Sequence, residues 1–61
     1  MELRKIVFTD GFKFFEQENG KFTDNENELD ADMIYNSLEQ IAELVRDGYL
    51  DVSSIETYKK I

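Results

Sequence analysis

The chain has 61 residues, and its 14 aspartates and glutamates outweigh seven lysines and arginines to give a net charge of −7. A chain of this length buries only about 60% of the surface that its unfolded form exposes, so we expect a single small domain over residues 1–61. The excess of acid disfavours binding to nucleic acid or to an anionic membrane, and it favours a partner protein with a basic surface.

The sequence contains no cysteine and no histidine. Disulfides, the usual zinc ligands and the Cys–His or Ser–His pairs of nucleophilic catalysis are therefore missing. We predict a protein that is not an enzyme and has no cofactor. The sequence also has no apolar run near the ~20 residues of a membrane span and no signal-peptide pattern, so we expect a cytoplasmic protein.

Two turn signals, Asp10-Gly11 and Asn19-Gly20, occur in the first third of the chain. Both pairs accept the positive φ angles of a type I′ turn, and the first lies between runs of β-branched and aromatic residues at 2–8 and 12–15. We predict a two-residue hairpin loop at each pair, joining strands into a small meander. The alternative is a short helix over residues 10–19, which Asn19-Gly20 would end.

A two-residue loop at Asp10-Gly11 sets Val7 opposite Phe14 and Ile6 opposite Phe15. In this register both faces of the meander are apolar, because one carries Leu3, Val7, Phe12 and Phe14 and the other carries Ile6, Phe8, Phe15 and Phe22. One helix covers only one face. We therefore predict that the second face binds a target protein or another copy of the chain in a homodimer.

One amphipathic helix is predicted from Ala31 to Asp47, with Asp30 as N-cap and Gly48 as the left-handed residue that ends it. Its core face is predicted to consist of Ile34, Leu38, Ile41, Ala42 and Val45. Its acidic side, predicted to contact a basic partner, consists of Asp32, Glu39, Glu43 and Asp47. The alternative interpretation of these acids is a solvated helix face.

The last ten residues contain Ser53-Ser54-Ile55-Glu56, which matches the Ser-x-x-Glu capping box. This motif predicts a short C-terminal helix through Ile61, with a closing strand over residues 52–59 as the alternative. The predicted fold class is α+β: a small antiparallel hairpin or meander packed against one main amphipathic helix, with a short C-terminal helix.

The alternating acids at residues 24–32 suggest a calcium loop, but the match fails at two positions. Leu29 stands where the sharp turn needs glycine, and Tyr35 stands where a bidentate glutamate is needed. We predict no metal site.

The function that these features favour is a small acidic protein-binding module, in the form of an inhibitor of a host protein encoded by a phage or other mobile element. Its acids would mimic the phosphates of nucleic acid. One alternative is a nucleic-acid-binding accessory or regulatory protein that uses Arg4, Lys13 and the strand aromatics. Another is a structural subunit that forms homo-oligomers.

Overall fold

The computed structural model describes residues 2–59 and confirms the α+β class. The elements are strands β1 (Glu2–Phe8), β2 (Lys13–Glu16), β3 (Phe22–Thr23), β4 (Ile34–Tyr35) and β5 (Val52–Lys59), helix α1 (Leu38–Arg46) and a 3-10 turn (Glu28–Asp30). All strand pairs are antiparallel, and the order across the sheet is β4-β3-β2-β1-β5. The described sheet therefore has five strands, more than the predicted small hairpin or meander.

The first hairpin loop has three residues rather than the predicted two. The N–H of Phe8 donates to the carbonyl of Phe12 at 2.9 Å, and the N–H of Gly11 donates to the carbonyl of Phe8 at 3.0 Å. Gly11 has a φ of 90°, as expected for a three-residue loop that ends in a left-handed glycine. The second loop repeats this arrangement with Gly20 at a φ of 85°.

The extra loop residue shifts the register of β1 against β2 by one position. Ile6 lies opposite Phe14, and Lys5 lies opposite Phe15. Because neighbouring side chains in a strand point to opposite faces, this shift moves Phe14 to the face of Ile6 and Phe15 to the other face. The predicted division of the aromatic residues between the two faces is therefore wrong.

The predicted N-terminal half of the helix is also wrong, since α1 begins at Leu38 and not at Ala31. Residues 34–35 instead form β4, because the Asp24 carboxylate accepts bonds from the N–H groups of Asp32 and Met33 and holds this segment beside β3. Ser37 is the observed N-cap. Pairing with β3 therefore overrides the helical spacing of the apolar residues.

The end of α1 matches the prediction. Gly48 has a φ of 85°, its N–H donates to the carbonyl of Val45, and the N–H of Tyr49 donates to the carbonyl of Leu44. This is the Schellman arrangement in which glycine after the last helical turn satisfies carbonyls that the helix leaves unpaired.

The predicted C-terminal helix is wrong for residues 53–59, which lie in β5 and pair with β1 along its whole length. Pairing with β1 satisfies the backbone groups on one side of this segment, and Lys5 meets Glu56 at 3.5 Å across the pair. The alternative strand over residues 52–59 is confirmed. Ile61, the predicted end of the helix, lies outside the described residues.

The core lies between α1 and the sheet face that carries Ile6. Its buried members are Ile6, Phe8, Phe14, Phe22 and Ile41. Only part of the predicted helix face contributes: Ile41 is buried and Val45 packs against the cluster, while Ile34, Leu38 and Ala42 are exposed. The short helix presents fewer residues to the sheet than the predicted long one.

Candidate protein-binding surface

Helix α1 leaves apolar surface uncovered on both sides of its axis. A helix is about 10 Å wide, whereas five strands spaced about 4.8 Å apart span about 19 Å. One helix of nine residues therefore cannot cover this sheet. The exposed apolar side chains follow from this mismatch in width.

The first uncovered region, here called the α1–β5 groove, has a volume of about 270 Å³. It is lined by Ile6, Leu38, Ile41, Ala42, Val45, Val52 and Ile55. Ile55 is 62% exposed and Leu38 is 40% exposed, although both are large aliphatic residues. The floor of the groove is core, and its open side is formed by residues that the fold does not bury.

The second uncovered region, here called the hairpin groove, has a volume of about 290 Å³. It is lined by Phe12, Phe14, Met33, Tyr35, Leu44, Tyr49 and Leu50. Tyr49 and Met33 are exposed, and Phe12 packs edge-on against Phe14 with ring centroids 5.2 Å apart. The two grooves lie on opposite sides of α1 and share its sheet face.

The predicted acidic residues are exposed, but they do not form one helical face. Glu39 and Glu43 lie four residues apart on α1, so their side chains are neighbours on its surface. Asp47 is the C-cap of the helix, and Asp32 precedes β4. The structure therefore brings Glu39 and Glu43 together and leaves Asp32 outside the helix.

The acid-rich loop over residues 24–33 is anchored from inside by two buried polar residues. Gln17 Nε2 donates to Thr23 Oγ1 at 2.9 Å and to the carbonyl of Glu26 at 3.2 Å, and Thr23 Oγ1 donates to the carbonyl of Asn25 at 2.7 Å. These bonds hold the loop backbone against the sheet while Glu26, Asp30 and Asp32 are exposed. Gln17 and Thr23 belong to no sequence motif that would have predicted this anchor.

The predicted aromatic interface is largely core. Ile6, Phe8 and Phe22 are at most 2% exposed, so they offer a partner almost no surface. Phe15 is half-buried on the opposite face, where its ring lies 5.4 Å from that of Tyr58. The large apolar residues that remain exposed include Leu38, Tyr49 and Ile55, of which Leu38 was predicted to lie in the core and the other two were not predicted to contact a partner.

The opposite face of the sheet is closed around Tyr58. Its hydroxyl donates to the carbonyl of Glu16, and Leu3 beside it is buried. Burial raises the pKa of Tyr58 above its ordinary value, and the nearby charges of Glu26 and Glu16 act in the same direction. This face therefore presents little free apolar surface near β1.

The basic residues of β1 are engaged by acids. The Arg4 guanidinium meets Glu16 at 2.9 Å and lies 5.7 Å from the centre of the Phe22 ring. The hydrogen bond from Arg4 lowers the pKa of the Glu16 carboxyl. Arg4 and the buried ring of Phe22 are thus occupied within the chain, and Lys13 lies opposite Val7, away from the face of Phe14.

Among residues 2–59 no group of three or more acidic side chains is placed to hold a metal ion. Within the same residues no helix has the length and apolar character needed to cross a bilayer. Comparison with protein-family models, with curated proteins and with solved structures finds no match to this chain.

Proposed function

We propose that the protein is a small acidic module that binds a partner protein with a basic surface. The observation that carries this proposal is the pair of apolar grooves on either side of α1, together with the exposed carboxylates of Glu39 and Glu43 on the same helix. Protein interfaces commonly combine an apolar centre with a polar rim. The grooves would supply the centre and the acids the rim.

In its more specific form, the proposal is that the protein inhibits a host protein, as inhibitors encoded by phages and other mobile elements do. The net charge of −7 and the anchored acidic loop at residues 24–33 support it, because fixed carboxylates compete for a basic groove without losing much chain entropy. An inhibitor of this kind would be displaced from its target by nucleic acid.

The experiment is affinity capture from a cell lysate with matched charge variants. Glu39→Lys with Glu43→Lys reverses the acids on α1, while Glu2→Lys with Glu18→Lys makes the same change in net charge at exposed positions outside both the helix and the acidic loop. We expect a partner that the wild-type chain and the second variant retain and the first variant loses. Capture of no partner, or equal loss from both variants, would contradict the proposal.

A second candidate is self-association through the same grooves, which their apolar linings favour. Two copies would bring together two net charges of −7, so assembly should strengthen with salt. Binding to a basic partner should weaken with salt instead. Sedimentation equilibrium at low and high ionic strength separates the two candidates.

A further inference from the structure

The outer edge of β5 carries backbone groups that no strand of the described sheet pairs. The N–H of Arg4 donates to Glu16, which belongs to β2, and Arg4 lies opposite Thr57. In an antiparallel pair, residues that point their backbone groups away from the partner strand alternate with residues that bond to it. The N–H and carbonyl groups of Ile55, Thr57 and Lys59 therefore face outward.

This free edge borders the α1–β5 groove. Ile55 lies opposite Ile6, so its side chain is on the helix-covered face at the open side of the groove. A strand added to β5 would place every second side chain on that face, beside Ile55. The intervening side chains would lie on the other face beside Glu56, whose carboxylate meets Lys5 at 3.5 Å but stays half-exposed.

A second copy of the chain fits this edge poorly. The register of β5 is interrupted opposite Val7 and Phe8, so its regular edge runs only over residues 54–59. Antiparallel pairing of two copies about Glu56 would set like charges opposite each other, and each copy has a net charge of −7. A basic strand would meet the same short edge but would bring a charge opposite to that of the chain.

We propose that β5 and the α1–β5 groove receive an extended basic segment of the partner, which adds to the sheet as a sixth strand. The segment alternates valine- or isoleucine-like residues, which face the groove, with lysine or arginine, which face Glu56. In strand addition of this kind, main-chain hydrogen bonds supply the affinity and alternate side chains supply the specificity. This inference rests on the proposed function and names its binding site.

Thr57→Pro tests the site. Proline removes an N–H that points outward and is tolerated on an edge strand, so the fold should persist, and Thr57→Ala is the matched control because it keeps the N–H. The probe is a short peptide that alternates lysine with valine, compared with a peptide of the same composition in two blocks. We expect Thr57→Pro to weaken binding of the alternating peptide about tenfold, and Thr57→Ala to leave it within about twofold of wild type.

Amide hydrogen exchange provides the second measurement. The wild-type chain should gain protection at Ile55, Thr57 and Lys59 with the alternating peptide and not with the block peptide. Equal binding by Thr57→Pro and wild type, no binding of the alternating peptide, or a wild-type dimer that Thr57→Pro abolishes would each overturn the inference. In those cases the proposed function would still be supported if the chain captured a lysate partner and lost it when Glu39 and Glu43 were reversed.

Discussion

Arg4 and Glu16 are joined three times across the β1–β2 pair. The backbone N–H of Arg4 donates to Glu16 Oε1 at 3.0 Å, and its Nε and Nη2 atoms donate to Oε1 and Oε2 at 3.2 and 2.9 Å. The N–H of Arg4 therefore points toward β2. The same relationship leaves Thr57, opposite Arg4, with its backbone groups facing away from the sheet.

The Glu16 carboxylate should make stability sensitive to acid. The hydrogen bond from Arg4 lowers its pKa in the folded chain. The stabilisation is therefore present above the unfolded pKa, near 4.5, and is lost as the pH falls through the lower folded value. Because Arg4 is half-exposed, we expect Glu16→Gln to cost less than about 1 kcal/mol at pH 7.

Urea unfolding of wild type and Glu16→Gln at neutral and acid pH provides the test. The two free energies of unfolding should converge as the pH falls below about 4. A difference that stays constant over this range would show that the carboxylate is not the titrating group.

Tyr58 should make stability sensitive to alkali. Burial raises the pKa of its hydroxyl above the ordinary value of 10.0, so the stabilisation is present below that value and is lost as the pH rises through the folded pKa. The ionised oxygen also loses the proton that it donates to the carbonyl of Glu16. We expect Tyr58→Phe to lower the free energy of unfolding by about 1 kcal/mol at pH 7. Above about pH 10 the variant should lose less of its neutral-pH stability than wild type loses. An unchanged alkaline profile in Tyr58→Phe would contradict this assignment.

Ile41 and Leu38 should differ in their contributions to stability although both lie on α1. Ile41 is 2% exposed and belongs to the core cluster, so Ile41→Ala should cost about 2–5 kcal/mol. Leu38 lies at the open side of the α1–β5 groove, so Leu38→Ala should cost about 1 kcal/mol or less. Chemical denaturation of both variants compares them directly. Equal losses would mean that the groove is closed in solution.

Gly20 should be required by the second hairpin loop. Its φ of 85° lies in the left-handed region, where a Cβ atom costs about 1–2 kcal/mol. We expect Gly20→Ala to lower the thermal midpoint, and Gly20→Asn to lower it less, because asparagine tolerates this region better. Midpoints that are equal to that of wild type would argue against the three-residue loop.

The sequence allowed the turns, the end of α1 and the fold class to be predicted, because each depends on local backbone preferences. Gly11, Gly20 and Gly48 all have positive φ, as their neighbours in the sequence suggest. The loop length was missed because Asp-Gly suits both two-residue and three-residue loops. That single residue decides which aromatic side chains face α1.

The candidate site was harder to predict, because it depends on contacts between distant segments. Ile55 and Leu38 flank one groove only because β5 pairs with β1 and α1 is short. The Ser37-Leu38-Glu39-Gln40 segment matches the Ser-x-x-Gln pattern at the observed helix start, although the Ser37 side chain makes no capping bond and Gln40 accepts from the N–H of Asn36 instead. The competing Asp30 start obscured that signal.

The central claim, that a partner protein binds at the α1–β5 groove, is tested most directly by site-directed photocrosslinking. Because the chain has no cysteine, a single introduced thiol carries the crosslinker at one known position. Ile55→Cys and Leu38→Cys place it at the α1–β5 groove, and Glu18→Cys places it at the second hairpin loop. We expect one partner protein to be crosslinked from positions 55 and 38 and not from position 18. Crosslinking of that partner from position 18 alone, or equally from all three positions, would contradict the account.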